Sequence, residues 1–278
     1  MAVVTGAASG IGFALASRFG AQRMKVVLAD VEIDALGDAA RKLEKEGVEV
    51  LPVRIDVSRA DDMKELAERT REAFGRVHVL CNNAGVFTGG NSWEASLEDW
   101  QWVLGVNVWG VVHGLNSFVP MMLESGEQGH IVNTASMAAV VSMPYSAIYS
   151  MSKHAVLSLS ESLYHELTLR GAKVGVSVLC PEAIATQIDR SGRNRPSQLG
   201  PTAESGSQVE ARTMVERAIS DAVKQGPPPA IIADRVLDAI RDNRFYILAG
   251  GSWARAAEMR LEDIRLARNP TFAPPTIE

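Results

Sequence analysis

Cysteine is almost missing from this 278-residue chain: only Cys81 and Cys180 occur, each inside an apolar stretch. That excludes a disulfide-stapled secreted fold and a cysteine-rich zinc site, and a reducing cytoplasmic setting is expected. A basic surplus is missing too. Lys and Arg number 28 against 33 Asp and Glu, a formal charge of −5, so neither nucleic acid nor an anionic membrane is an expected partner. No apolar run reaches the roughly 18 residues of a membrane span, and Met1 leads into Val3 and Val4 without a basic leader, so the chain reads as neither exported nor anchored. The five histidines, His78, His113, His130, His154 and His165, form no close pair. His165-Glu166 lacks the second histidine of a zinc-protease helix, and no metal is expected. What is present is 46% hydrophobic and 22% charged residues, enough for one substantial core.

Short β-rich runs alternate with segments of helical periodicity up to about residue 180, the pattern of parallel strands joined by crossover helices. It predicts an α/β fold: a single Rossmann-type, doubly wound parallel sheet of about seven strands with helices on both faces. The strand candidates are Ala2 to Val4, Lys25 to Asp30, Glu49 to Ile55, Val77 to Asn82, His130 to Ala135, Lys173 to Cys180 and Phe245 to Leu248. Ile11, Leu15 and Phe19 repeat every four residues after the first strand, and Met63, Leu66, Ala67 and Phe74 share one face of a helix beginning near Ala60. Asp189 to Gln208 is rich in Arg, Ser, Gly and Pro and reads as an irregular, mobile excursion. The division is then a catalytic domain over 1–250, with a substrate lid at about 189–229. A C-terminal helix and tail over 251–278 pack on the same domain or on a partner subunit. Pro227, Pro228 and Pro229 read as a rigid connector to a helix near Ile231.

Thr5-Gly6-Ala7-Ala8-Ser9-Gly10-Ile11-Gly12 places three glycines at a strand-to-helix junction, where backbone N–H groups can approach a pyrophosphate. The bland alternative is a tight turn, and the spacing departs from G-x-G-x-x-G. Asp30 ends the second strand about 20 residues on, where a carboxylate can accept both ribose hydroxyls and repel a 2′-phosphate; this favours NAD over NADP. Asp56 and Val57 follow the third strand and bracket an adenine, or serve as turn and cap residues.

Tyr149 and Lys153 stand four residues apart in a predicted helix, so both project from one face, and the ammonium is expected to lower the phenol's pKa toward a usable acid/base. Ser136 lies just beyond a strand, where its hydroxyl can hold a substrate oxygen. His154, about 100° round the helix, is set aside as a base. With Asn82-Asn83-Ala84-Gly85 and Tyr149-Ser150-Met151-Ser152-Lys153 added to the glycine turn and Ser136, the chain resembles the classical short-chain dehydrogenase/reductase family over about residues 1–190.

The resemblance implies an NAD-dependent oxidoreductase interconverting a small or medium organic secondary alcohol and its ketone by hydride transfer. Tyr149 would exchange the proton, Ser136 orient the oxygen, Lys153 act on both phenol and nicotinamide ribose, and Asn107 position a water. Gly6, Ser9, Gly10, Ile11, Gly12, Asn83, Ala84 and Gly85 would line the cofactor. Pro181, Ile184 and Thr186 would hold the carboxamide. Glu182 stands where the family has glycine, so a required positive φ would be strained. Met137, Val140, Val141 and Met143 line a pocket or pack a loop. Two alternatives remain: an NADP-dependent reductase, and a non-catalytic NAD sensor of the same fold. The resemblance also implies a homotetramer, or a homodimer, with Ala155, Leu159 and Leu163 offering apolar surface unless they are ordinary core.

Overall fold

The structure is a computed structural model that describes residues 1–201, 206–248 and 253–272. Seven strands are present among these residues: β1 (Ala2–Thr5), β2 (Val26–Asp30), β3 (Val50–Arg54), β4 (Val79–Asn82), β5 (Gly129–Thr134), β6 (Val174–Cys180) and β7 (Tyr246–Leu248). Every pairing is parallel and the order is β3-β2-β1-β4-β5-β6-β7. Each strand lies within two residues of its expected bounds. Their Val, Ile and Leu content suits a sheet buried on both faces.

Crossover helices supply the two cover layers. On one face α1 (Gly10–Ala21) and α2 (Ile33–Lys45) pack with the later α8 (Pro229–Arg241) around Leu15, Phe19, Leu43 and Val236. On the other, α3 (Ala60–Phe74), α5 (Gly110–Ser125) and α6 (Ala147–Leu169) pack around Leu66, Phe118, Ile131 and Val156. Leu163 is buried in this second layer and Leu159 packs against it, so that stripe of α6 is core rather than free surface.

A short α4 (Leu97–Leu104) runs into α5 through a π-helical turn, Gly105–Trp109. The stack Leu97–Ser125 is, by length and composition, long and apolar enough to cross a bilayer, a property the sequence reading missed; 44% of its most apolar stretch is buried inside the fold. Its α5 half packs on α3 and β4 as a core helix does.

The excursion after β6 is more regular than its composition suggested. It holds 3-10 turns at Ile188–Asn194 and Ser197–Leu199, then α7 (Gly206–Gln225) begins inside the stretch read as irregular. The triple proline starts α8 directly. Pro228 caps it and Pro229 is its first residue, where a missing N–H costs nothing. Beyond β7, α9 spans Ala254–Arg265; the expected start at Ser252 and the tail beyond Phe272 lie outside the described residues.

Candidate active site

The sheet order reverses between β1 and β4, and a crevice opens there at the strands' C-terminal ends. Thr5 fixes its floor. The Thr5 hydroxyl accepts from the N–H groups of Asn83 (2.9 Å) and Ala84 (3.1 Å), and the Asn83 amide donates to the Thr5 carbonyl at 3.0 Å. The Asn82 amide donates to Asn133 at 2.9 Å inside the sheet, so Asn82 staples strands while its successors line the cleft.

Gly6 and Gly10 adopt φ of 65° and 56°, the left-handed region that side chains rarely enter. Gly12 serves differently. It is not on the cleft wall, and a Cβ there would meet the Gly6 carbonyl oxygen at 2.0 Å, so its bareness lets α1 seat against the turn. Asp30 closes the β2 end of the cleft. Its carboxylate accepts from the N–H of Ala8 (2.9 Å) and of Glu32 (3.0 Å), which ties the glycine turn to β2. Burial still pushes its pKa upward, outweighing these bonds. Asp56 is a turn residue, accepting from the Ser58 N–H (2.9 Å) and hydroxyl (2.7 Å), yet with Val57 it also lines the cleft. Gly6, Ser9, Gly10, Ile11, Asp30, Asn83, Ala84, Gly85, Pro181, Ile184 and Thr186 line the same continuous cavity of about 1560 Å³. A glycine-rich turn at a helix N-terminus, with a carboxylate bonded beside it at the end of β2, fits a dinucleotide.

Ser136, Tyr149 and Lys153 meet in this cavity. Tyr149 and Lys153 share one face of α6, and the ammonium lies 5.6 Å from the phenol ring's centroid. Lys153 is 3% exposed and donates to the Thr134 carbonyl at 2.9 Å. Burial lowers its pKa to about 8. The phenol departs from expectation. Burial raises its pKa, the Ser136 hydroxyl bond pulls the other way, and the raising effect wins, so the nearby ammonium alone does not bring it down. Ser136 also caps the turn Met137–Ala139, accepting from the Ala138 N–H at 3.1 Å. Phe87 meets the Tyr149 ring edge-on at 5.2 Å and orients it.

Asn107 sits in the π-turn, 1% exposed. Its side chain accepts from the Val86 N–H (2.9 Å) and donates to the Val86 carbonyl (3.0 Å) and the Ser152 hydroxyl (2.9 Å). It therefore clamps the loop after β4 to α6, one residue from Lys153. His154 bonds the Ser150 carbonyl at 2.9 Å and is not on the cavity wall. Glu182 does line the cavity but is not among the residues with positive φ, which are Arg23, Tyr145, Asn243 and Ala267 outside glycine. No backbone strain attends its replacement of glycine. Met137 and Met143 face the cavity, whereas Val140 and Val141 do not.

The sequence reading missed three features. Phe87 of the loop after β4, Trp102 of α4, Leu199 of the second 3-10 turn and Val215 and Ile219 of α7 add an apolar wall, joined by Trp253 from beyond β7. Asp99, on the first turn of α4 and fully buried, receives Arg195 at 2.6 Å, from between the two 3-10 turns, and Arg212 at 3.2 Å, from α7. Tyr145, a bulky residue at φ 58°, holds Gly90 through its carbonyl at 2.8 Å, a strained corner beside the reacting groups. Among the described residues no cluster of metal-ligating side chains exists, and both cysteines are free and buried.

A family model described as short chain dehydrogenase matches residues 1–196. The chain is 38% identical over 264 residues to 1-deoxy-11-beta-hydroxypentalenate dehydrogenase of Streptomyces exfoliatus, covering 94% of this chain and 86% of that protein. It is 30% identical over 261 residues to a CLA biosynthesis dehydrogenase/reductase of Lactiplantibacillus plantarum, covering 94% and 91%. Among solved structures, a short chain dehydrogenase/reductase from Burkholderia phymatum in complex with NAD matches with a TM-score of 0.95 at 45% identity, covering 98% of this chain and 96% of that one.

Proposed function

This chain belongs to the short-chain dehydrogenase/reductase family of oxidoreductases, and on that footing we propose that it interconverts a secondary alcohol and its ketone with NAD as cofactor. The observation that carries the reading is that Ser136, Tyr149 and Lys153 lie on one wall of the cavity whose other end holds the glycine turn and Asp30. Asp30 supports NAD, because a carboxylate there can accept ribose hydroxyls and repels a 2′-phosphate. The structural relative bound to NAD supports the same choice.

The nicotinamide, when bound, supplies or takes up the hydride. Tyr149 removes the carbinol proton in oxidation and returns it in reduction. Ser136 holds the substrate oxygen and, through its bond to the phenol, favours the phenolate. Lys153 places a buried positive charge beside that phenolate and is kept in line by the Thr134 carbonyl. Asn107 and Gly85 hold the β4 loop close to the ammonium: a Cβ on Gly85 would stand 3.4 Å from both the Asn107 oxygen and the Lys153 nitrogen.

The substrate we assign is bulky and apolar. Phe87, Trp102, Met137, Met143, Leu199 and Trp253 wall its side of the cavity, and such a wall selects by buried area. The hydroxylated compound in the Streptomyces relative's name supports an alcohol as the substrate. Self-association, as a tetramer or dimer, is proposed through the exposed Trp93, Leu97 and Trp109, at 79%, 81% and 55%. A cytoplasmic location is proposed on the two free thiols.

The test is an NADH-absorbance screen of bulky secondary alcohols and ketones, run beside Tyr149→Phe. Turnover by the native chain and a loss of about 100-fold or more in the variant are expected. NAD binding with no turnover across the panel would refute the enzymatic reading.

A further inference from the structure

The cofactor end carries a contact that the proposed chemistry does not use. Arg193, in the turn Ile188–Asn194 of the lid, reaches back across the cleft to Glu32, two residues beyond Asp30. Its Nε donates to both Glu32 carboxylate oxygens, at 3.1 and 3.3 Å, and its Nη2 donates to the first at 2.8 Å. The Asn194 amide donates to that same oxygen at 3.0 Å. Arg193 Nη1 donates to the carbonyls of Gln187 (3.1 Å) and Arg190 (2.9 Å), so all three guanidinium nitrogens are engaged and the fork is held in one orientation. Glu32 is itself tied to the ribose-binding carboxylate, since its N–H donates to Asp30 at 3.0 Å. Glu32, Arg193 and Asp30 all line the cavity wall.

A guanidinium beside an adenosine ribose has the geometry and charge to pair with a 2′-phosphate, which it binds in bidentate fashion. The other cations on this part of the wall are Arg59, occupied by Asp62 at 3.0 Å, and Arg54, whose Cα pairs with that of Asp30 in the sheet. Arg59 meets its carboxylate through Nε, whereas Arg193 meets Glu32 through both Nε and Nη2 and has Nη1 tied to backbone carbonyls. A phosphate would have to displace Glu32 to reach it, and Glu32 would also repel that phosphate directly.

We propose that Glu32 is a cofactor-specificity residue that acts through Arg193: it holds the lid guanidinium in a bidentate pair and so withholds it from a 2′-phosphate. Discrimination against NADP is then shared between Asp30, which repels, and Glu32, which masks. The inference rests on the reading that the cleft takes NAD, and it needs no substrate to test.

Equilibrium binding of NADH and NADPH is measured for the native chain, Glu32→Gln, Arg193→Gln and the double variant. Both side chains are about one-third exposed, so the fold is expected to survive, with circular dichroism and melting as checks. Glu32→Gln is expected to tighten NADPH by about tenfold, the size of one added charge-assisted contact. NADH affinity should stay within about threefold of native. The NADPH gain should vanish in the double variant and shrink with rising salt. An unchanged NADPH affinity in Glu32→Gln overturns the proposal. So does a gain that survives removal of Arg193, which would mean plain repulsion by Glu32 or recruitment of Arg54. A native chain that prefers NADPH would instead defeat the NAD reading, and the comparison of single with double variant would still report on the pair.

Discussion

Lys153 carries a charge in a place that penalises charge, and the cost can be read as a pH dependence. Burial brings its pKa from 10.5 to about 8, whereas the unfolded chain keeps the higher value. Between those limits the unfolded state binds more protons than the native state, so stability rises with pH through the window. Below pH 8 the native state bears the full penalty, about 3 kcal/mol at 1.36 kcal/mol per pKa unit. Moving from pH 7 to pH 9.5 should relieve about 2 kcal/mol of it. Lys153→Met keeps the length of the side chain and removes the titration. Because the neighbouring phenol also titrates upward from its usual range, both proteins should carry Tyr149→Phe, leaving the lysine as the one difference. Urea unfolding at the two pH values then gives the difference in ΔG between lysine and methionine forms. The lysine form should gain about 2 kcal/mol on its partner as the pH rises. Parallel stability profiles would show that the ammonium is not penalised by burial, and the reasoning would fail.

Other perturbations reach the rest of the site. Asp99→Asn leaves two lid arginines facing a neutral amide and should cost about 3–5 kcal/mol; hydrogen exchange should then show residues 188–200 and 206–225 losing protection while the sheet keeps its own. Gly12→Ala forces a Cβ onto the Gly6 carbonyl, 2.0 Å away, so calorimetry should show NADH affinity falling by about tenfold or more as the turn is pushed out of shape. A Trp253→Ala variant should raise KM for the bulkiest accepted substrate more than for the smallest, since the lost wall is apolar area.

The cofactor end was legible because its signals are local. A glycine turn at a strand-to-helix junction and an aspartate ending the next strand are fixed by the βαβ unit itself, and both fall on the cavity. Tyr149 and Lys153 were legible for the same reason, four residues on one helix. Their titration was not. The phenol's raised pKa comes from packing, to which no spacing in the sequence refers. The α6 stripe at Leu159 and Leu163 was open between surface and core for a similar reason: helical periodicity identifies an apolar face but not what covers it, and here both pack into the core cluster. The segment after β6 misled most. Its Arg, Ser, Gly and Pro content reads as irregular, yet its order comes from Asp99, 96 residues before Arg195 and 113 before Arg212.

Those long-range charges also set how the segment after β6 is held. At the substrate side both arms converge on one fully buried carboxylate, with Arg195 also lying 5.5 Å over the Trp102 ring. At the cofactor side a single, partly exposed pair joins Arg193 to Glu32. Breaking a buried pair costs about 3–5 kcal/mol, because a charge is left without water or partner. Breaking a partly exposed one costs about 1 kcal/mol or less, because water replaces the partner. The two anchors therefore differ by about 2–4 kcal/mol, a factor of roughly 30 to 1000 in how often each pair is broken. The segment's weaker anchor lies two residues from Asp30, at the glycine-turn end of the cavity, and its stronger anchor lies on α4, beside the apolar wall that Trp102 and Leu199 line.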